Sequence, residues 1–223
     1  MSKKIMFNDK YSLTQAVLDG RKTMTRRICK YDRPDESWDI VFPVFESKDY
    51  DSEGNLISSL YGAFGWKNKD GDFTGWNNPL YKVGEVVAIA QSYMDVDRFH
   101  RKGKNAAYLE YLDSILPELK LYPGWGNKMF VKADLMPHHI EITNIKIERL
   151  QDISDGDCLK EGIIHAYTDN DGIKIYHTPH TKRGFLSTDV AQQAFAFLID
   201  KVSGKGTWKR NPFVFAYEFK LFD

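Results

Sequence analysis

Within eight positions, Gly20-Arg21-Lys22-Thr23-Met24-Thr25-Arg26-Arg27, the chain sets four cations beside two hydroxyls and behind a permissive glycine. Arginine forks, a lysine point charge and hydroxyl donors suit an anionic oxygen or the edge of a base. The segment is therefore read as a working surface for a phosphate-bearing or nucleotide-like ligand, with Arg21, Lys22, Thr23, Arg26 and Arg27 in reach of it. A solvated basic turn is the alternative that composition alone leaves open.

Other chemistry has less to stand on. His138 and His139 are adjacent and would point to opposite faces of a strand, and His177-x-x-His180 lacks a third ligand at a recognisable spacing, so no metal site is predicted. There is no Gly-rich phosphate fingerprint, and no cofactor is expected. Cys29 and Cys158 lie far apart, which fits a reducing, cytoplasmic compartment without a disulfide scaffold. The 31 basic and 31 acidic residues cancel, so any nucleic-acid binding must come from a local patch and not from the field of the whole molecule. Apolar residues at 42% and charged residues at 28% are ordinary for a globular chain with a real core. No run approaches the roughly 20 apolar residues of a membrane span, and none suits a signal peptide.

The elements that must position these residues are legible from period and punctuation. Ser12-Leu13-Thr14-Gln15 has the form of a capping box, and Leu13, Ala16 and Val17 recur at helical spacing until Gly20, so a short helix is predicted to deliver the chain into the basic loop. Tyr31 to Pro79 is rich in Gly, Asp, Asn and Ser and is read as an insertion partly ordered by Trp38, Phe64, Trp66, Phe73 and Trp76. Val83 to Ala90 reads as a buried strand entered through a turn. A second insertion covers about 92–129, with a helix over Ala106 to Leu116.

From His139 to Leu150 the apolar parity changes between Ile142 and Ile145, which predicts a bulge or bend near Thr143-Asn144 and suits a small barrel. Ser154 is the expected cap of a helix from about Asp155 to Lys160 or Glu161, with Cys158 stapled to Ile153. Ile164 to Thr188 reads as a long loop or weak hairpin. Asp189 is the expected cap of a last helix that buries Val190, Ala194, Phe197 and Leu198, and Phe213 to Leu221 is a closing strand buried on both faces in its first half. Together these give a single α+β domain with short flanking helices and two long insertions.

The block Gly20-Arg21-Lys22-Thr23-x-Thr25-x-Arg27 after a short helix resembles the signature of the ASCH family, a branch of the PUA-like β-barrel superfamily. Val83-Gly84-Glu85-Val86, the stretch Ile145 to Ile163 and Asn211-Pro212-Phe213-Val214-Phe215 resemble further blocks of its longer bacterial and phage members, in order. The resemblance implies a small β-barrel with a cleft beside the first helix, associated with RNA or modified nucleosides. Short members are N4-acetylcytidine amidohydrolases, and matching their motifs places the catalytic roles on Lys22, Thr25 and Glu161. In that chemistry a threonine hydroxyl attacks the acetyl carbonyl, a neighbouring amine or carboxylate takes its proton, and the cations stabilise the oxyanion.

This chain departs from the family pattern in two places. Arg26 stands where the short hydrolases carry an apolar residue, and Ala88-Ile89-Ala90-Gln91-Ser92-Tyr93 replaces a Trp-Val-Arg-Glu-Thr-Trp-like stretch, making Gln91 and Tyr93 candidate ligand contacts. Three readings result: a module binding RNA or a modified nucleoside, a metal-independent amidohydrolase, and a scaffold whose insertions bind a protein partner through Trp38, Trp66 and Trp76.

Overall fold

Phe213–Leu221 can be buried on both faces because apolar residues occupy its odd positions and Val214 and Ala216 fill its first even ones. The structure is a computed structural model describing residues 3–222 except 32, 104–109, 111–112, 116, 118–119, 122 and 180–183, with the side chains of 99–103 also outside it. In chain order the strands are β1 (Lys4–Ile5), β2 (Met24–Ile28), β3 (Asp39–Val41), β4 (Gly65–Lys67), β5 (Val86–Ile89), β6 (His139–Arg149), β7 (Ile164–Thr168), β8 (Lys174–His177), β9 (Ser187–Thr188) and β10 (Phe213–Leu221). The helices are α1 (Leu13–Leu18), α2 (Tyr93–Gly103), α3 (Asp155–Lys160), α4 (Ala191–Ser203) and α5 (Thr207–Arg210). The helix expected over 106–116 falls largely outside the described residues.

The arrangement is α+β. A mixed sheet runs β1-β5-β6-β10-β2, parallel only between β1 and β5. Val214, Phe215, Ala216 and Tyr217 of β10 are all buried between its two partners. Glu218 faces Asn144 and Phe219 faces Ile142, so Thr143 is the extra residue of a bulge where the apolar parity changes. Among the described residues, no helix is long and apolar enough to cross a membrane.

The bulged sheet curls. Met6 and Phe7 follow β1 at one edge, yet they meet β2 at the opposite edge: Arg27 donates from Nη2 to the Met6 carbonyl at 2.7 Å, and its guanidinium lies 5.9 Å from the Phe7 ring centre. The two edges thus face one another across a seam.

The first insertion is tied down by its rings. Trp66 on β4 is fully buried, 5.1 Å from Phe213 and 5.7 Å from Phe64, and Phe64 packs at 5.7 Å on Phe215. Large desolvated rings are the main means by which a polar insertion can offset its ordering entropy. The start of the second insertion packs Tyr93 and Val96 with Ala88, Ala90, Val131 and Met136 in a separate small cluster.

Several local expectations are corrected. Ser12 makes no side-chain cap, because it sits at φ 52 as the end of a 3-10 turn over Asp9–Tyr11 and is held left-handed there. Asp189 does not cap α4. Val190 takes that place, and the buried stripe is Ala191, Ala194, Phe195, Leu198 and Ile199, leaving Phe197 exposed. Of the two readings of Ile164 to Thr188 the hairpin is the one formed: β7 and β8 pair antiparallel, and β9 adds a third strand. Ser154 caps α3 as expected, accepting from the Asp157 amide at 3.1 Å, with Ile153 and Cys158 both in the core.

Candidate functional site

The basic segment is only half a loop. Its second part, from Met24, is β2, whose partner β10 matches Thr25 to Tyr217, Arg26 to Ala216 and Arg27 to Phe215. Strand alternation sends Thr25 and Arg27 to one face and Arg26 to the other. Because β2 is the last strand of the sheet, side chains of both faces reach a cavity running past its free edge. This cavity, of about 900 Å³, is lined by Lys22, Thr25, Arg26, Arg27 and Glu161 and by rings that include Phe7, Tyr81, Phe195 and Tyr217. That volume lies in the range of small-molecule sites.

Lys22 is buried, and its Nζ donates to Glu161 Oε2 at 2.6 Å, the Glu161 carbonyl at 2.8 Å and the Met24 carbonyl at 2.6 Å. Three acceptors match the three donors of an ammonium, whereas a neutral amine has two, so the ground-state geometry is that of a charged lysine. Burial pushes the Lys22 pKa down, against the pull of Glu161, while Arg27 and Arg26 add to the depression. These are the conditions under which a lysine can become a base, provided its proton is first passed on.

Arg26 is the centre of a buried ion cluster. Its guanidinium donates to Glu148 Oε1 at 2.5 and 3.0 Å, to Asp157 Oδ2 at 3.1 Å and to Glu161 Oε1 at 3.2 Å. Burial opposes the charge, but Glu161 and Glu148 outweigh it and raise the Arg26 pKa. Asp157 is held below the usual carboxylate range: burial raises it, and Lys146 at 3.2 Å together with Arg26 more than reverses that. Ala216 is what lets the cluster form. It lies between Arg26 on β2 and Lys146 on β6, and a larger side chain there would stand between them.

Glu161 is the last residue before a left-handed turn at Gly162, φ 104. A Cβ there would lie 3.3 Å from Leu13 Cδ2 and 3.8 Å from Lys22 Cδ. Gly162→Ala is expected to cost roughly 1–3 kcal/mol through backbone strain, read by urea denaturation. An unchanged midpoint would show that the turn tolerates a side chain.

The structure therefore brings together Lys22, Thr25, Arg26, Arg27 and Glu161. Thr25 is buried in the same cavity, but among the described residues its hydroxyl is hydrogen-bonded to neither Lys22 nor Glu161. Four sequence candidates lie elsewhere. Arg21 is exposed and paired with Asp19 at 2.8 Å, and the Thr23 backbone links Lys160 to Phe219. Gln91 and Tyr93 follow β5, which β6 and β10 separate from β2. Gln91 borders a smaller cavity of about 330 Å³, and the Tyr93 hydroxyl accepts from the Lys132 amide at 2.9 Å.

Arg26 also departs from its expected role, because the carboxylates around it occupy the donors that a phosphate would need. Glu148, Asp157 and Lys146 were not singled out in the sequence as site residues. The signal was present in the four-residue spacing of Asp157 and Glu161 on one helix face and in the shared parity of Lys146 and Glu148. His180 lies outside the described residues, and among the described ones no group of His, Cys, Asp and Glu is placed to hold a metal. The chain matches no protein-family model, no curated protein and no solved structure.

Proposed function

We propose that the chain is an ASCH-type, PUA-like protein that holds a nucleoside, free or within RNA, in the cavity at the seam of its curled sheet. The observation that carries this reading is the convergence of Lys22, Thr25 and Glu161 on one ring-lined cavity, with Lys22 and Glu161 in contact although 139 residues apart. The curl supports the barrel part of it, since a bulged sheet whose edges approach through Arg27 and Met6 is near closure. The rings suit a base, which needs flat apolar walls and a few polar groups at one end. Calorimetry with cytidine and N4-acetylcytidine should give saturable binding, one molecule per chain. No heat and no thermal shift with either nucleoside would remove the reading.

A second reading, amidohydrolysis of an N4-acylated cytidine, is favoured by the contact between Lys22 and Glu161. The Thr25 hydroxyl would attack the acyl carbonyl, its proton passing to the unprotonated Lys22 amine, which the Glu161 carboxylate holds in place. The cytidine amine would leave with a proton from that pair, and water would then release the acyl group from Thr25 as a carboxylic acid. For the scaffold reading, the burial of Trp66 leaves Trp76, edge-on to Phe73 at 4.8 Å, as an exposed ring pair of the first insertion.

A further inference from the structure

The cavity carries more positive charge than an uncharged nucleoside can use. Its lining includes Lys3, Lys4, Lys22, Arg26, Arg27 and Lys30 against a single carboxylate, Glu161. Lys22 and Arg26 already neutralise that carboxylate. The rest come from both sheet edges, Lys3 and Lys4 from the start of β1 and the residue before it, and Arg27 and Lys30 from β2 and the residues after it. Lys3 is paired with Glu85 at 2.9 Å. Lys4 spends two of its three ammonium donors on the Met129 and Val131 carbonyls, both at 2.6 Å.

Arg27 gives one N–H to Met6 and has no carboxylate partner among the described residues, and Lys30 has neither hydrogen bond nor ion pair among them. Cations lining one cavity repel each other unless an anion lies between them. An arginine fork with spare donors and an ammonium group lining the same cavity fit the oxygens of a phosphate.

We infer that Arg27 and Lys30 form a phosphate subsite at the seam, so that the cavity takes a nucleoside monophosphate in preference to the uncharged nucleoside. This rests on the nucleoside reading above and adds the charge of the ligand to it. A free mononucleotide is favoured over a long strand because the basic set ends at the seam. Arg21, beside Lys22 in the chain, is turned to solvent and paired with Asp19, and the whole chain has no net charge with which to follow a backbone.

The test compares cytidine, cytidine 5′-monophosphate, inorganic phosphate and a short cytidine-containing RNA by calorimetry. The monophosphate is expected to bind roughly 10–100-fold tighter than cytidine, the range of one or two charge-assisted hydrogen bonds. Its affinity should fall with added salt while that of cytidine does not, and inorganic phosphate should compete with the monophosphate alone. Arg27→Ala with Lys30→Ala should bring the ratio of the two affinities close to one. Lys30→Ala, at an exposed position, should reduce the ratio without touching the bridge from Arg27 to Met6, and the salt dependence needs no variant. Equal, salt-independent affinities overturn the subsite and leave the nucleoside reading standing. No binding of either ligand overturns both. An RNA that binds far more tightly than the monophosphate overturns the mononucleotide in favour of a strand.

Discussion

Replacing Arg26 by alanine is expected to remove about 3–5 kcal/mol of folding stability, the usual result of stripping one partner from a buried charge cluster. Glu148, Asp157 and Glu161 would lose their shared counter-charge, and Lys22 and Lys146 cannot replace a fork that reaches all three. Stabilities of native domains are of the order of 5–15 kcal/mol, so the variant would sit near its unfolding threshold. Arg26→Lys keeps the charge without the fork and should fall between.

The pH dependence follows from Asp157. Its pKa in the folded chain lies below the ordinary 3.8, so it contributes stability that is present above that value and lost as pH falls through the folded pKa. Part of that contribution comes from Arg26, and the gap between wild type and Arg26→Ala should therefore narrow below pH 3.8. Urea denaturation from pH 7 downward measures it. An alanine variant as stable as the wild type at neutral pH would mean that the cluster is not built as described.

Under the amidohydrolase reading, Lys22→Met is expected to lower N4-acetylcytidine turnover by on the order of 10²–10⁴-fold, the share of a positioned base. Thr25→Ala should stop turnover by removing the nucleophile, yet change stability little, since its hydroxyl makes no side-chain hydrogen bond among the described residues. Lys22→Met should also destabilise, because the buried Glu161 keeps only Arg26 as counter-charge. The two variants thus separate chemistry from architecture.

Turnover that needs the unprotonated amine should rise with pH as Lys22 loses its proton. Burial sets that rise below the 10.5 of a free lysine. Assaying released cytidine and acetate across pH checks both points. Product from Thr25→Ala at the wild-type rate would exclude the threonine as nucleophile, and no product from the wild type would exclude this substrate.

Periods, and one of the three expected caps, were local enough to be read from the chain. The bulge at Thr143, the Ser154 cap, the staple of Ile153 and Cys158 and the doubly buried β10 depend on neighbours within a few residues or on simple alternation. The basic segment and Glu161 were legible too, through resemblance and through the density of cations.

What the chain alone could not assign was the work of each cation. Lys22 and Arg26 looked like ligand contacts, and tertiary packing spends them on carboxylates more than a hundred residues away. Arg27 has no carboxylate partner among the described residues because it lies on the other face of β2, toward the seam. The position of β2 at the sheet edge, the curl that brings Met6 to Arg27, and the small Ala216 that admits the ion cluster are all non-local. Burial and pairing follow from which segments meet, and the physical reason is desolvation: a cation removed from water must find a counter-charge, and only the fold decides which one is within reach.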